Sequence, residues 1–309
     1  MRVGILAALI AAMLLGRAVT SHLEHGPVSL AAQEPRPKKV LGESLNGPPI
    51  VSAPAWAVAD GESGRLLWSH DAEAPRQMAS TTKIMTAWIA LEIVREHPEL
   101  LERRVTVSRA ADRTTGSTSG IREGETLTIQ DLMHALLLPS GNDAAIQVAE
   151  VFGEVLGLDG DQDAVSRFVS EMNTRADEMG LEETKYLDPH GNSANVSSAR
   201  DLVRLAIVAR GNERLRKIVA TPSYRCRLEG PDGAQREVVW RNTNRLLEIE
   251  GYDGIKTGTT AGAGACLVSS GERDGQRLIV VVLGSTSRDG RYVDSRNLYR
   301  FAWRELLSK

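Results

Sequence analysis

The sequence predicts an α+β fold, and three patterns carry that expectation. Two short apolar runs flank a glycine-containing turn near the start of the folded region. Helical-period stripes fill the middle. Near the end, Leu278–Leu283 reads Leu-Ile-Val-Val-Val-Leu, apolar at every position. A strand with that pattern is covered on both faces. A sheet with strands from both chain ends and helices inserted between them satisfies all three.

The elements follow in order along the 309 residues. Arg2, the apolar run Ile5–Leu15 and the small residues Gly16 and Ala18 read as a secretory signal over residues 1–18. The run is too short for a bilayer span, which takes about 20 apolar residues. Residues 19–53 hold Gly26-Pro27, Pro35-Arg36-Pro37 and Gly47-Pro48-Pro49 with no hydrophobic period, and read as a flexible linker. Folded sequence is expected from about Pro54. Ala55–Ala59 and Arg65–Trp68 form the expected hairpin. Ile84–Leu91 is apolar except for Thr86, the mark of a buried helix. Ile129, Leu132, Met133, Leu136 and Leu137 make a helical stripe with Thr128 placed to cap it. Val165, Phe168, Val169, Met172, Ala176 and Met179 make another, closed by Gly180. Ser198–Ala209 is a third, ended by Gly211. Strands are expected at Tyr224–Leu228, Val238–Trp240, Gly264–Val268 and Leu278–Leu283, and a last amphipathic helix over Tyr292–Leu307.

Composition narrows the function. Apolar residues are 42% and charged residues 25%, ordinary globular usage, and the net charge is −3. No basic field is present to grip nucleic acid. Cys226 and Cys266 cannot build a disulfide framework or a four-thiolate zinc site. An exported chain permits one disulfide between them, and two buried thiols are the alternative. Asp159-x-Asp161-x-Asp163 resembles the opening of a calcium loop, but Ala164 and Ser170 stand where glycine and glutamate are required, so it reads as a solvated acidic turn. His190, in Asp188-Pro189-His190-Gly191, reads as a hydrogen-bonded turn residue before a base.

Three short motifs can carry chemistry. In Ser80-Thr81-Thr82-Lys83, Ser80 and Lys83 lie one turn apart on the same face, at the mouth of the buried helix. Lysine deprotonates a serine only if its pKa falls well below about 10.4, and burial lowers it. The helix N-terminus supplies positive potential and free N–H groups for an oxyanion. In Ser140-Gly141-Asn142, expected on a loop, Ser140 relays a proton and Asn142 offers a donor and an acceptor to an amide. In Lys256-Thr257-Gly258-Thr259, placed just before a strand, a cation, hydroxyls and a glycine suit an extended peptide with a terminal carboxylate. The Thr259 N–H then joins the Ser80 N–H as an oxyanion donor. Alone, each motif also reads as a cap or a turn. Together and in this order they match the set found in penicillin-binding proteins and β-lactamases.

On these motifs, with Met78–Thr86, Leu138–Ala145, Asp188–Gly191 and Gly254–Thr260 around them, the chain resembles the low-molecular-mass penicillin-binding proteins. Within these it resembles the serine D-alanyl-D-alanine carboxypeptidases and their endopeptidase relatives, from about Ala55 to Leu307. The resemblance implies an antiparallel β-sheet flanked by helices with an all-helical insertion, a catalytic domain over 54–309 and a helical subdomain at about 97–212. It implies Ser80 as acyl-ester nucleophile, Lys83 as its base and Ser140 as proton relay. It implies Asn142, Lys256, Thr257, Gly258 and Thr259 as substrate-binding residues, with Lys256 a second cation that helps keep Lys83 neutral. No metal or other cofactor is implied. The implied partners are peptidoglycan stem peptides, with β-lactams as covalent inhibitors and no nucleic acid. The implied location is extracytoplasmic, with at most an N-terminal membrane tether, since only 50 residues follow Thr259. A cross-link-cutting endopeptidase on the same site is the alternative. A β-lactamase would need a deacylating glutamate in an ExxLN segment, and none is present between Ser140 and Lys256. A non-catalytic penicillin-binding sensor would not need all three motifs.

Overall fold

The computed structural model describes residues 47–157 and 163–308. The signal and most of the linker lie outside the described residues, as do Asp159 and Asp161 of the acidic turn.

Ala55–Asp60 (β1) and Leu66–His70 (β2) form the expected hairpin. Its turn is tied by the Asp60 carboxylate, which accepts from the Ser63 N–H at 2.8 Å. Arg76–Gln77 (β3) leads into a 3-10 turn, Ala79–Thr82, and then helix Lys83–Glu96 (α1). Arg104–Thr106 (β4), the short helix Arg109–Asp112 (α2) and Thr126–Thr128 (β5) follow. Helix Ile129–Leu137 (α3) starts on a reciprocal cap between Thr128 and Asp131. Asn142–Val155 (α4), Ala164–Glu178 (α5), Val196–Ser197 (β6), Ala199–Gly211 (α6) and Glu213–Val219 (α7) complete the inserted region. The last part comprises Ser223–Glu229 (β7), Gln235–Arg241 (β8), Tyr252–Thr260 (β9), Gly264–Arg273 (β10), Gln276–Ser285 (β11) and helix Gly290–Leu307 (α8).

The main sheet runs β2-β1-β11-β10-β9, antiparallel throughout. The apolar run Leu278–Leu283 lies at its centre and explains its own composition. Ile279, Val281 and Leu283 join Ala55, Ala57 and Ala59 of β1 on the face covered by the helical body. Leu278, Val280 and Val282 join Trp56 and Val58 on the other face, under Leu298, Tyr299, Ala302 and Trp303 of α8. Each fully buried side chain of this kind contributes roughly 1.5–3 kcal/mol.

The structure adds what periodicity missed. The inserted region carries the short strands β4, β5 and β6 beside its helices, and β4 and β5 join β7 and β8 in a second sheet. Lys256-Thr257-Gly258-Thr259, expected just before a strand, lies within one: β9, an edge of the main sheet. The ordered body reaches into residues assigned to the linker: Ser52 and Ala53 donate their N–H groups to Asp294 of α8 at 2.9 and 3.1 Å. Cys226 and Cys266 are both buried and free. No helix among the described residues is long and apolar enough to cross a membrane.

Candidate active site

Ser80 sits in the 3-10 turn that opens into α1. The residue before it, Ala79, is held at φ +48°. A left-handed conformation costs a non-glycine residue about 1–2 kcal/mol and persists only where its surroundings impose it. Two glycines impose it here. A Cβ on Gly258 of β9 would stand 2.9 Å from both the Met78 carbonyl oxygen and the Ser80 nitrogen. A Cβ on Gly191 would stand 2.0 Å from the Ala79 carbonyl oxygen. The Ser80 turn is thus clamped between two backbones that approach closely only because both are glycine.

Lys83 is the first residue of α1 and is fully buried. Its Nζ lies 3.1 Å from Ser80 Oγ, 2.7 Å from Asn142 Oδ1 and 2.8 Å from the His190 carbonyl oxygen. Burial pushes its pKa down to about 7, against the opposing pull of Asp188 and Asp143. A neutral amine has two N–H bonds and one lone pair. Asn142 and His190 offer acceptors only, so they take the two N–H bonds. In this neutral form the lone pair is left for the Ser80 hydroxyl, whereas in the ammonium form Nζ donates to Ser80 Oγ as well.

The two acceptors are themselves built in. Asn142 opens α4, donates its N–H to the Ser117 carbonyl at 2.7 Å, and spends a side-chain N–H on the Thr115 carbonyl at 2.7 Å. Its neighbour Asp143 pins the facing loop, accepting from Thr118 Oγ1 and the N–H groups of Ser119 and Gly120. The His190 carbonyl is aimed by Asp188, which accepts from the N–H groups of His190, Gly191 and Ser193. Burial alone would raise the Asp188 pKa. The charge of His190 and the donated N–H groups outweigh it and hold the carboxyl below its ordinary range. Burial lowers the His190 ring, whose Nδ1 accepts from the Asn192 N–H. The histidine serves here through its backbone.

Ser140 stands at φ +68°, and its buried Oγ makes no hydrogen bond among the described residues. Lys256 is buried and donates to the Thr257 carbonyl at 3.2 Å. Burial first, then repulsion from Lys83 and Arg291, hold its pKa well below the ordinary lysine value. Burial is what lowers Lys83, and the second cation is not among the causes of its shift. Thr257 Oγ1 lies 2.7 Å from Thr243 Oγ1. Arg291, near the start of α8, donates to the Gly258 carbonyl at 3.1 Å and to Thr259 Oγ1 at 3.0 Å.

A cleft of about 130 Å³ opens over this cluster. Ser80, Ser140, Thr257, Gly258 and Thr259 line it, together with Ser117, Thr243, Arg288 and Arg291. Lys83, Asn142 and Lys256 lie behind the lining. A larger cavity, about 630 Å³, lies near Trp88, Glu92, Asn212 and Lys217 but holds no nucleophile with a base. Size does not mark the site. Sequence reasoning missed Thr243, Arg288, Arg291 and the His190 carbonyl. Arg291 left one signal: a cation in the first turn of a helix opposes the macrodipole.

Comparisons with known proteins point to one family. The family model described as D-alanyl-D-alanine carboxypeptidase matches residues 43–287. A D-alanyl-D-alanine carboxypeptidase of Streptomyces sp. (strain K15) is 34% identical over 270 residues, 84% of this chain and 90% of that protein. A D-alanyl-D-alanine endopeptidase of Pseudomonas aeruginosa is 30% identical over 247 residues, 79% of this chain and 75% of that protein. The crystal structure of the Streptomyces K15 DD-transpeptidase aligns with a TM-score of 0.77 at 32% identity, covering 84% of this chain and 99% of that one.

Proposed function

Because the chain belongs to the D-alanyl-D-alanine carboxypeptidase family, we propose that it removes the terminal D-alanine from peptidoglycan stem peptides through an acyl-enzyme on Ser80. The observation that carries this reading is the buried Lys83 amine, 3.1 Å from Ser80 Oγ with both of its N–H bonds committed elsewhere.

The substrate lies extended along the unpaired edge of β9. Its terminal carboxylate meets the Thr257 hydroxyl and the Arg291 guanidinium, with Lys256 Nζ beneath, donating to the Thr257 carbonyl. Ser80 Oγ passes its proton to Lys83 Nζ and attacks the carbonyl carbon of the penultimate residue. The oxyanion is received by the N–H groups of Ser80 and Thr259. On collapse the C–N bond breaks, and the proton held by Lys83 reaches the leaving amine by way of Ser140. Water then hydrolyses the ester. Asn142 acts first by holding Lys83, and its second amide N–H remains for the substrate.

Among the described residues no carboxylate lines the cleft, so a penicilloyl ester on Ser80 lacks the deacylating glutamate of a β-lactamase and turns over slowly. This favours a penicillin target over a β-lactamase. Residues 1–18 act as an export signal that places the enzyme outside the cytoplasm with its substrate. The test is incubation of the full chain with a stem peptide ending in D-Ala-D-Ala and, separately, with labelled penicillin. The expected results are loss of one alanine and a stable adduct on Ser80, both abolished by Ser80→Ala. Rapid penicillin turnover, or binding with no peptide cleavage or transfer, would overturn the reading.

A further inference from the structure

Of the nine residues lining the cleft, only Arg288 and Arg291 carry charge. They do different things. Arg291 is buried and committed to Gly258, Thr259 and the Tyr292 hydroxyl. Arg288 is exposed, in the connection between β11 and α8, and has no hydrogen bond or ion pair among the described residues. The acid beside it does not neutralise it, since Asp289 pairs with Arg245 at 2.7 Å. A chain of net charge −3 thus keeps a free guanidinium at the rim of its own active cleft. It sits on the wall built from β9 and the approach to α8, the wall that takes the terminal carboxylate.

We propose that Arg288 is a specificity residue that reads a second carboxylate on the leaving group, so that the cleft accepts the branch of a cross-linked stem peptide as well as free D-alanine. This rests on the DD-peptidase reading above. Free D-alanine ends at one carboxylate, which Thr257 and Arg291 already receive. A leaving group that is itself part of a peptide continues past that carboxylate and brings another. A guanidinium fork is suited to such a planar anion. The bond broken is again the amide to the acyl carbon, and water completes the hydrolysis, so no other reactant is needed.

The test compares kcat/KM of the full chain for a D-Ala-cross-linked muropeptide dimer with that for the monomeric peptide ending in D-Ala-D-Ala. Wild type is expected to process both. Arg288→Gln is expected to lower the ratio, dimer over monomer, by about three- to tenfold, a modest effect because the group is solvent-exposed and screened. Arg288→Lys restores most of the ratio, and high salt erases the wild-type advantage. An unchanged ratio in Arg288→Gln, or a wild type that releases D-alanine but leaves the dimer intact, overturns the inference. Failure on both substrates overturns the DD-peptidase reading itself.

Discussion

Asn142→Asp changes one atom group and tests how Lys83 is kept neutral. The substitution puts a carboxylate 2.7 Å from Lys83 Nζ, where an amide oxygen now stands. At an effective dielectric constant of about 20, charges that close attract by roughly 6 kcal/mol, or about four pK units before desolvation is subtracted. That is enough to return Lys83 from about 7 to near the ordinary value of about 10.4. At pH 7.5 the neutral fraction then falls from more than half to below about 1%, so Ser80 acylation slows by about two orders of magnitude. The variant also loses the hydrogen bond to the Thr115 carbonyl, and its thermal unfolding must be followed to separate misfolding from misprotonation. The assay is the pseudo-first-order rate of labelled-penicillin acylation from pH 5 to 10. A folded variant that acylates within threefold of wild type at neutral pH, with an unmoved profile, refutes the argument.

Three further outcomes follow from the same geometry. Gly258→Ala forces a Cβ against the Ser80 nitrogen and the Met78 carbonyl; it should cost about 1–3 kcal/mol of stability and slow acylation tenfold or more, seen by thermal melts and adduct formation. Arg291→Leu leaves the terminal carboxylate without its guanidinium and should raise KM for D-Ala-D-Ala peptides by at least about tenfold, while the fold, read by circular dichroism, stays intact. Lys83→Met should remove a pH dependence of stability. The unfolded chain protonates this lysine up to about pH 10.4 and the folded chain only up to about 7. Wild-type stability therefore gains from this residue as pH rises through that window, and the difference between wild type and variant in urea melts at pH 6 and pH 9 measures the gain.

The parts of the fold legible in the sequence are those where burial repeats with a period. Leu278–Leu283 announced a strand covered on both faces, and α1, α3, α5 and α6 followed their apolar stripes. Strands of two or three residues, such as β3, β4, β5 and β6, are too short to show a period. Helix α7 spans only seven residues and shows no clear period for the same reason. In the site, Ser80 and Lys83 were legible because helical spacing fixes their approach. The His190 carbonyl was not, because every residue has one and only the fold of the Asp188 turn aims it. Asn142 illustrates the limit of motif reading. Its amide was assigned to substrate, yet the structure turns it first toward Lys83 and Thr115.

The account stands on an uncharged amine beside Ser80. The chain has only seven lysines, so carbon-13 labelling of their side chains and an NMR titration, with Lys83→Met to identify the signal, reads that amine directly. The Lys83 resonance is expected to titrate at about pH 7. A Lys83 resonance that stays in its ammonium position to about pH 10, where ordinary lysines titrate, would contradict it.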